Sequence, residues 1–266
     1  MSEMPVDVSW ALLRHLAALA RRAGDAILAC EGPGCETKAD GSPVTAADRL
    51  AQDVICAELQ RLDDGIPIIA EESDLPEPGV RREWRRYWLV DPLDGTKEFL
   101  AGRPDYTVNI ALIEDGVPVM GVVSAPALGE MYLAARGLGT WRQIGDDEPV
   151  RLIVSRLAPD AGVRVIESRS HPSPALEEFL RSIQVTERIQ LGSSLKFCRL
   201  AEGRADCYPR FGPTMSWDVA AGDCVFRNAV PDGAEPHASP LSYPTSDFRQ
   251  APFVVSLAIG TTTVPR

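Results

Sequence analysis

A short apolar segment that runs into two carboxylates offers the clearest possibility for chemistry in this 266-residue sequence. Tyr87–Val90 is aromatic or aliphatic, as expected of a buried strand, and Asp91 and Asp94 follow it closely. Because Pro92 has no N–H to donate to a strand ladder, we expect the strand to stop near Asp91. The segment therefore predicts two acidic side chains gathered at a strand end.

A turn and a helix start follow these carboxylates directly. Gly95 permits a tight turn, and Thr96–Leu100 has the composition of a helix beginning. Free backbone N–H groups at such a point can receive a phosphate, while carboxylates beside them can hold a hard cation. We interpret the segment as half of a metal-assisted phosphate site.

Two further carboxylates stand at the ends of predicted elements. Glu71 follows the apolar strand Ile66–Ala70, and Asp218 lies in the first turn of a predicted helix. With Asp91 and Asp94 they would supply the oxygen ligands that Mg²⁺ prefers, and the Leu93 carbonyl is an additional candidate. No histidine accompanies the carboxylates, which argues against zinc or non-haem iron. Sequence spacing alone does not show that these residues converge.

A fifth acidic position has a structural explanation of its own. Thr45 is a good N-cap for a helix reaching about Leu62, and Asp48 would occupy its third position, where a carboxylate is favoured. From the residues alone, capping explains Asp48 better than catalysis does.

Composition limits the classes of function. The net charge of −11 argues against nonspecific binding of long nucleic acids, and it suits a small anionic substrate only where metal ions reverse the local field. No apolar run approaches the ~20 residues of a membrane span, and the N-terminal residues lack the charged and apolar regions typical of a secretory signal, so we expect a cytoplasmic protein. The six cysteines form no CxxC pair and are expected to be buried apolar residues.

The predicted elements divide the chain into two αβ halves, residues 1–149 and 150–266. The first half is expected to hold two helices, Val6–Cys30 and Thr45–Leu62, over an antiparallel-rich sheet. Its central hairpin pairs Tyr106–Ile113 with Val117–Val123 across Glu114–Gly116. The second half is expected to alternate strands and helices, with Pro209–Pro213 forming a loop after a short strand, Ala205–Tyr208.

Three separated motifs resemble the signature set of the inositol monophosphatase superfamily, the lithium-sensitive, magnesium-dependent phosphomonoesterases. The motifs are Glu71–Glu72, Asp91–Thr96 and Trp217–Gly222. Five other segments are similar to the bacterial 3′(2′),5′-bisphosphate nucleotidases within that superfamily: Lys38–Asp48, Lys97–Phe99, Ser168–His171, Gly192–Phe197 and Tyr208–Thr214. The resemblance covers about residues 38–222, and the proline-rich tail after Ala229 carries no matching motif.

The resemblance implies an α+β fold, a layered αβαβα sandwich, in which residues 1–149 carry most metal ligands and residues 150–266 complete the metal and nucleotide site. It implies two or three Mg²⁺ ions held by Glu71, Asp91, the Leu93 carbonyl, Asp94 and Asp218. It implies that Thr96, Asp48 and Glu71 form the catalytic group, which orients and activates the attacking water. It implies substrate contacts from Gly95, Thr96, Ser193, Lys196, Arg210 and Asp218.

The function implied by the resemblance is Mg²⁺-dependent hydrolysis of 3′-phosphoadenosine 5′-phosphate, a by-product of sulfur assimilation, to AMP and phosphate. Inositol monophosphatase or fructose-1,6-bisphosphatase activity on the same metal core is the alternative within this class. A catalytically inactive phosphate or nucleotide sensor is the alternative from another class, and it predicts a broken metal set or a missing Thr96. Both a monomer and a homodimer stay open, as does peripheral association with the inner membrane.

Overall fold

The computed structural model describes residues 7–30, 34–38, 41, 43–154, 162–170, 173–231 and 241–257. Of the sequence predictions, Val6, Ala39, Asp40, Ser42, His171 and part of the proline-rich tail lie outside these residues. Within them the helices are Trp10–Leu28 (α1), Ala46–Leu62 (α2), Pro78–Arg81 (α3), Thr96–Leu100 (α4), Pro174–Arg181 (α5), Leu195–Ala201 (α6) and Ser216–Ala229 (α7). No helix among the described residues is long and apolar enough to cross a membrane.

A seven-stranded sheet forms the first half of the molecule, in the order β3-β4-β5-β6-β7-β8-β9. Neighbouring strands are antiparallel except for the parallel pair β3–β4. The strands are Ile68–Ala70 (β3), Arg86–Asp94 (β4), Thr107–Glu114 (β5), Val117–Ala125 (β6), Glu130–Ala135 (β7), Gly139–Ile144 (β8) and Val150–Leu152 (β9). The predicted hairpin is confirmed, and Asp115 and Gly116 both take positive φ at its turn.

A four-stranded sheet forms the second half, in the order β11-β10-β12-β13. Its strands are Val163–Ser168 (β10), Val185–Leu191 (β11), Cys207–Arg210 (β12) and Phe253–Ser256 (β13). Strand β10 pairs in parallel with both neighbours, whereas β12 and β13 are antiparallel. A separate two-stranded ribbon, Cys35–Thr37 (β1) and Pro43–Thr45 (β2), leads into α2.

Among the described residues, three apolar cores fill the four interfaces between five layers, and one of the cores spans both faces of the middle layer. Helices α1 and α2 pack on one face of the large sheet, around buried residues such as Leu16, Ile55 and Trp88. Helices α6 and α7 lie between the two sheets, and α5 packs on the outer face of the small sheet through Leu176 and Phe179. The predicted αβαβα layering is therefore confirmed.

Helix α2 begins where its sequence requires. The Thr45 hydroxyl accepts from the Ala47 N–H, and the Asp48 carboxylate accepts from the Thr45 N–H at 2.8 Å, which completes a capping box. The cap satisfies N–H groups that the first helical turn leaves without partners. It also holds Asp48 rigidly at the point where the ribbon meets the helix.

Strand β4 does not stop at Asp91, so that prediction was wrong. The strand continues to Asp94, with an irregular register in which Asp91 faces Asn109 and Asp94 faces Thr107. Pro92 lies inside this bulge, where no ladder hydrogen bond is required of it. In a regular strand, residues three apart point to opposite faces, but the bulge shifts the alternation so that Asp91 and Asp94 line the same cavity.

The second correction concerns Pro209–Pro213. Pro209 and Arg210 belong to β12 and pair with Val254 and Phe253 of β13, so only the residues from Phe211 onward form a loop. Strand β13 comes from the tail of the chain, and local sequence does not reveal this partner. As a result Arg210 sits at the end of a buried strand, with only 8% of its surface exposed.

Candidate active site

A cavity of about 670 Å³ opens between the two halves, at the ends of β3, β4, β10 and β12. Every site residue predicted from the sequence lines this cavity except Asp48, which lies behind Thr96. The first half contributes Glu71, Asp91, Leu93, Asp94, Gly95 and Thr96. The second half contributes Ser193, Lys196, Arg210 and Asp218. Residues separated by more than a hundred positions in sequence thus meet in one place.

Three carboxylates cluster tightly on the first wall of the cavity. Glu71, Asp91 and Asp218 each place an oxygen within 4.8 Å of the others. Asp218 is oriented by the Thr214 hydroxyl at 2.8 Å and by the Met215 N–H at 2.9 Å, both donating to Oδ2. The three oxygens are therefore close enough to share one metal ion.

The electrostatics of the cluster fit a cation. Burial raises the pKa of Glu71 to about 7, and the Asp218 charge contributes in the same direction. Burial likewise raises the pKa of Asp94 to about 7 and the pKa of Asp91 well above its usual range. Carboxylates that destabilise one another in a buried site are stabilised by a divalent ion. Since the donors are carboxylate and carbonyl oxygens, with no histidine or cysteine among the described lining residues, the set suits Mg²⁺.

A lysine from the ribbon also reaches this cluster. The Lys38 ammonium donates to Glu71 Oε1 at 2.8 Å and to Glu72 Oε1 at 2.5 Å. Although burial opposes it, Glu71 and Glu72 together raise the pKa of Lys38. The sequence placed Lys38 in a nucleotidase-like segment but indicated no partner for it.

Thr96 and Asp48 meet at the edge of the cavity. The Thr96 hydroxyl lies 3.2 Å from Asp48 Oδ1 and 3.3 Å from the Leu93 carbonyl oxygen. Asp48 Oδ2 accepts from Thr45, so one carboxylate both caps α2 and contacts Thr96. The structural explanation and the catalytic one therefore apply to different oxygens of the same side chain.

Gly95 is required by the turn between β4 and α4. Its φ is +96°, a left-handed conformation that L side chains rarely adopt. A Cβ at this position would also lie 3.3 Å from Tyr106. The turn therefore depends on glycine, as the sequence predicts.

The opposite wall of the cavity is cationic. Lys196, only 4% exposed, donates to the Ser193 carbonyl and lies 5.4 Å from the centroid of the Tyr208 ring. Burial lowers the pKa of Lys196 to about 8. Arg210 donates through Nη2 to the Pro213 carbonyl at 2.6 Å, whereas its Nε has no hydrogen-bond partner among the described residues. This wall can accept an anionic group of a ligand.

The three residues of the nucleotidase-like segment Lys97–Phe99 lie in three different environments. Lys97 is exposed on the rim of the cavity. Glu98 is 4% exposed and accepts from the Ser170 hydroxyl at 2.9 Å. Phe99 packs edge-on against Tyr106, with ring centroids 5.3 Å apart, and does not line the cavity.

Sequence reasoning missed Arg249, which lines the cavity from the tail of the chain. Its segment is tied to the approach to α7: the Ser216 N–H donates to the Phe248 carbonyl at 2.6 Å, and the Gln250 N–H donates to the Thr214 carbonyl at 3.0 Å. A single arginine after a proline-rich stretch carries no local signal that could have identified it.

Comparisons with known proteins identify the family of this chain. The model of the inositol monophosphatase family matches residues 11–246. The 3′(2′),5′-bisphosphate nucleotidase CysQ of Escherichia coli K12 is 44% identical over 254 residues, covering 92% of this chain and all of the relative. The CysQ nucleotidase of Salmonella typhimurium is 46% identical over 230 residues, covering 85% and 90%.

Solved structures show the same fold. The crystal structure of CysQ from Bacteroides thetaiotaomicron matches with a TM-score of 0.78 and 34% identity, covering 97% of this chain and 100% of that one. An IMPase from Thermotoga maritima matches with a TM-score of 0.74 and 25% identity, covering 93% and 92%. The chain belongs to the inositol monophosphatase family, in its CysQ branch.

Proposed function

We propose that this protein is a Mg²⁺-dependent 3′(2′),5′-bisphosphate nucleotidase that converts 3′-phosphoadenosine 5′-phosphate to AMP and phosphate. The observation that carries the proposal is the pairing, in one cavity, of a carboxylate cluster with a separate cationic wall. The cluster suits the metal-assisted cleavage of one phosphate, and Lys196 and Arg210 suit the binding of a second. Relatives that match over nearly the whole chain bear the same enzyme name.

The metal ions, two or three in number, would be held by residues of both halves. Residues 1–149 supply most of the ligands and residues 150–266 complete the site. The ligands we assign are Glu71, Asp91, the Leu93 carbonyl, Asp94 and Asp218. Bound there, divalent ions polarise phosphoryl oxygens, lower the pKa of water and neutralise charge on the leaving oxygen.

The remaining steps fall to side chains and backbone of the chain itself. The Thr96 hydroxyl, placed between Asp48 and the Leu93 carbonyl, orients the attacking water, and Asp48 Oδ1 accepts the proton that passes through that hydroxyl. Glu71 lies on the same side of the cavity and assists in activating the water. The backbone N–H groups of Gly95 and Thr96 receive the oxygens of the phosphate under attack.

The second phosphate is assigned to the opposite wall. Lys196 and Arg210 supply two positive charges, and the Ser193 turn adds hydrogen-bond donors. Arginine can bind a phosphate through two parallel hydrogen bonds, and Arg210 lines this wall of the cavity. Asp218 adjoins both subsites, so it contacts substrate as well as metal.

A substrate panel with Mg²⁺ titration tests the proposal. The purified protein should release phosphate from 3′-phosphoadenosine 5′-phosphate far faster than from inositol 1-phosphate or fructose 1,6-bisphosphate, and EDTA should abolish the release. Faster turnover of inositol 1-phosphate would overturn the branch assignment. Binding of the nucleotide without any turnover at saturating Mg²⁺ would favour the sensor alternative. Lithium inhibition is expected from family membership.

A further inference from the structure

Strand β5 carries a stripe of polar residues that is buried rather than solvated. From Asp105 to Ile110 polar and apolar residues alternate strictly, a pattern typical of a strand with one face in water. Tyr106, Val108 and Ile110 face the core under α1 and α2, as expected. The polar partners are equally inaccessible: Asp105 is 4% exposed, Thr107 0% and Asn109 1%. Buried polar side chains require partners, and these partners identify their role.

Each residue of this stripe contacts the Gly192–Ser194 turn, which opens α6. Asp105 Oδ2 accepts from the Gly192 N–H at 2.6 Å and from Arg169 Nη1 at 2.5 Å. The Ser194 hydroxyl, 2% exposed, donates to Asn109 Oδ1 at 2.6 Å and lies 2.9 Å from Thr107 Oγ1. The first half of the molecule therefore holds the turn by hydrogen bonds at both of its ends.

These contacts form a chain of hydrogen bonds in which each donor can be assigned. Because the Ser194 hydroxyl donates its proton to Asn109 Oδ1, Thr107 must be the donor in its contact with Ser194. Asn109 Nδ2 in turn donates to Asp94 Oδ2 at 3.4 Å, and the Ser194 N–H also donates to Asp94. The sequence of donors thus runs from Thr107 through Ser194 and Asn109 to a carboxylate of the metal cluster.

Gly192 is packed too closely against the residues before β5 to admit a side chain. A Cβ on it would lie 2.7 Å from the Asp105 carbonyl oxygen and 2.7 Å from Glu98 Cγ. The turn is therefore packed directly against the loop that precedes β5. One turn later α6 presents Lys196 to the cavity, so the location of the turn sets the location of that ammonium group.

We propose that Asp105, Thr107 and Asn109 are positioning residues that fix the distance between the reacting phosphate and the second-phosphate subsite, and thereby determine the preference for bisphosphates over monophosphates. This inference rests on the nucleotidase function proposed above. The three side chains touch no substrate. They act by holding the Ser193–Lys196 segment at one spacing from Asp94, because a bisphosphate can use both subsites only at the correct separation.

The test compares two substrates in matched variants. The ratio of kcat/KM for 3′-phosphoadenosine 5′-phosphate to kcat/KM for adenosine 3′-monophosphate measures use of the second subsite. Thr107→Val removes one hydroxyl without changing shape and should lower this ratio about fivefold to tenfold, mainly through KM for the bisphosphate. Thr107→Ser restores the hydroxyl and should restore the ratio. Asp105→Asn should lower the ratio similarly through the other end of the turn.

Thr140→Val provides the control. Thr140 is also a fully buried strand threonine, and its hydroxyl donates to the Val225 carbonyl at 2.7 Å, away from the cavity. Loss of that bond should lower thermal stability and leave the substrate ratio unchanged.

The outcomes separate this inference from the proposed function. A wild-type protein that does not prefer the bisphosphate would overturn both. A wild-type preference that persists unchanged in folded Thr107→Val or in folded Asp105→Asn overturns the positioning role alone. Equal losses for both substrates, matching those of Thr140→Val, would likewise show that the stripe stabilises the fold without setting the spacing.

Discussion

Asp94→Asn should stabilise the protein in EDTA while abolishing turnover. Asp94 lies in a cavity with Glu71, Asp91 and Asp218, and burial together with the charge of Asp218 raises its pKa from 3.8 to about 7. This rise sets an upper bound of about 4 kcal/mol on the free energy by which ionised Asp94 destabilises the fold. Because Asp94 is only partly buried and solvent screens its charge, we expect a net gain of about 1–2 kcal/mol in the free energy of unfolding.

The gain should depend on pH in a defined direction. Since the folded pKa of Asp94 exceeds the unfolded one, the folded protein binds more protons between about pH 4 and pH 7, and the wild type loses stability as pH rises through this window. The difference between variant and wild type should therefore be near zero below about pH 4 and complete above about pH 7. At pH 8 in EDTA, thermal unfolding should show a Tm about 3–6 °C higher for the variant.

Mg²⁺ should reverse the ranking. The wild type gains stability in proportion to its Mg²⁺ affinity, whereas Asp94→Asn, which lacks a ligand, gains less. Glu130→Gln is the control, because Glu130 lies outside the cavity and pairs with Arg199 Nη2 at 2.8 Å. Although burial opposes it, Tyr132 and Arg199 lower the pKa of Glu130, so loss of this charge should lower Tm under both conditions. A lower Tm for Asp94→Asn at pH 8 in EDTA, or a difference from wild type that does not change with pH, would refute the reasoning, and so would near-normal activity at saturating Mg²⁺.

Three further outcomes follow from the site. Thr96→Val should lower kcat by about 100-fold or more with Mg²⁺ affinity unchanged in calorimetry, whereas Thr96→Ser should retain most activity; a loss of metal binding would contradict the role assigned to the hydroxyl. The kcat/KM for the bisphosphate should fall as pH rises through about 8, where Lys196 loses its charge, and Lys196→Arg should move this fall to higher pH. An identical pH profile for adenosine 3′-monophosphate would argue against the assignment of Lys196 to the second phosphate. Gly222→Ala would place a Cβ 2.6 Å from Phe197 and should lower the free energy of unfolding, measured by chemical denaturation, by about 2 kcal/mol. Gly79→Ala, with open space around it, should leave that free energy nearly unchanged, and similar effects of the two substitutions would disprove the packing argument.

The sequence determined those features that depend on neighbours close in the chain. Thr45 and Asp48 predict their capping box because both partners lie within one helical turn. Glu114–Gly116 predicts the hairpin because the turn chemistry is local. The three acidic motifs identified the family through their order, since each was recognisable without knowledge of its contacts.

The tertiary structure decided whatever depends on pairing between distant segments. Pro92 reads as a strand stop, yet pairing with β5 accommodates it in a bulge that turns Asp91 and Asp94 to one side. Arg210 reads as a loop residue, yet pairing with β13 makes it part of a strand. In both cases a neighbour that is remote in sequence supplies the hydrogen bonds that local propensity does not anticipate.

The buried stripe of β5 shows the limit of pattern reasoning most clearly. The hairpin prediction placed a strand from Tyr106 onward, where polar and apolar residues alternate, and the strand is present from Thr107. The same alternation implies a solvated face, but the Gly192–Ser194 turn of the second half covers that face and supplies its hydrogen bonds. Periodicity reports which residues share a face of a strand, whereas the layer that packs on that face is set by the fold of the whole chain.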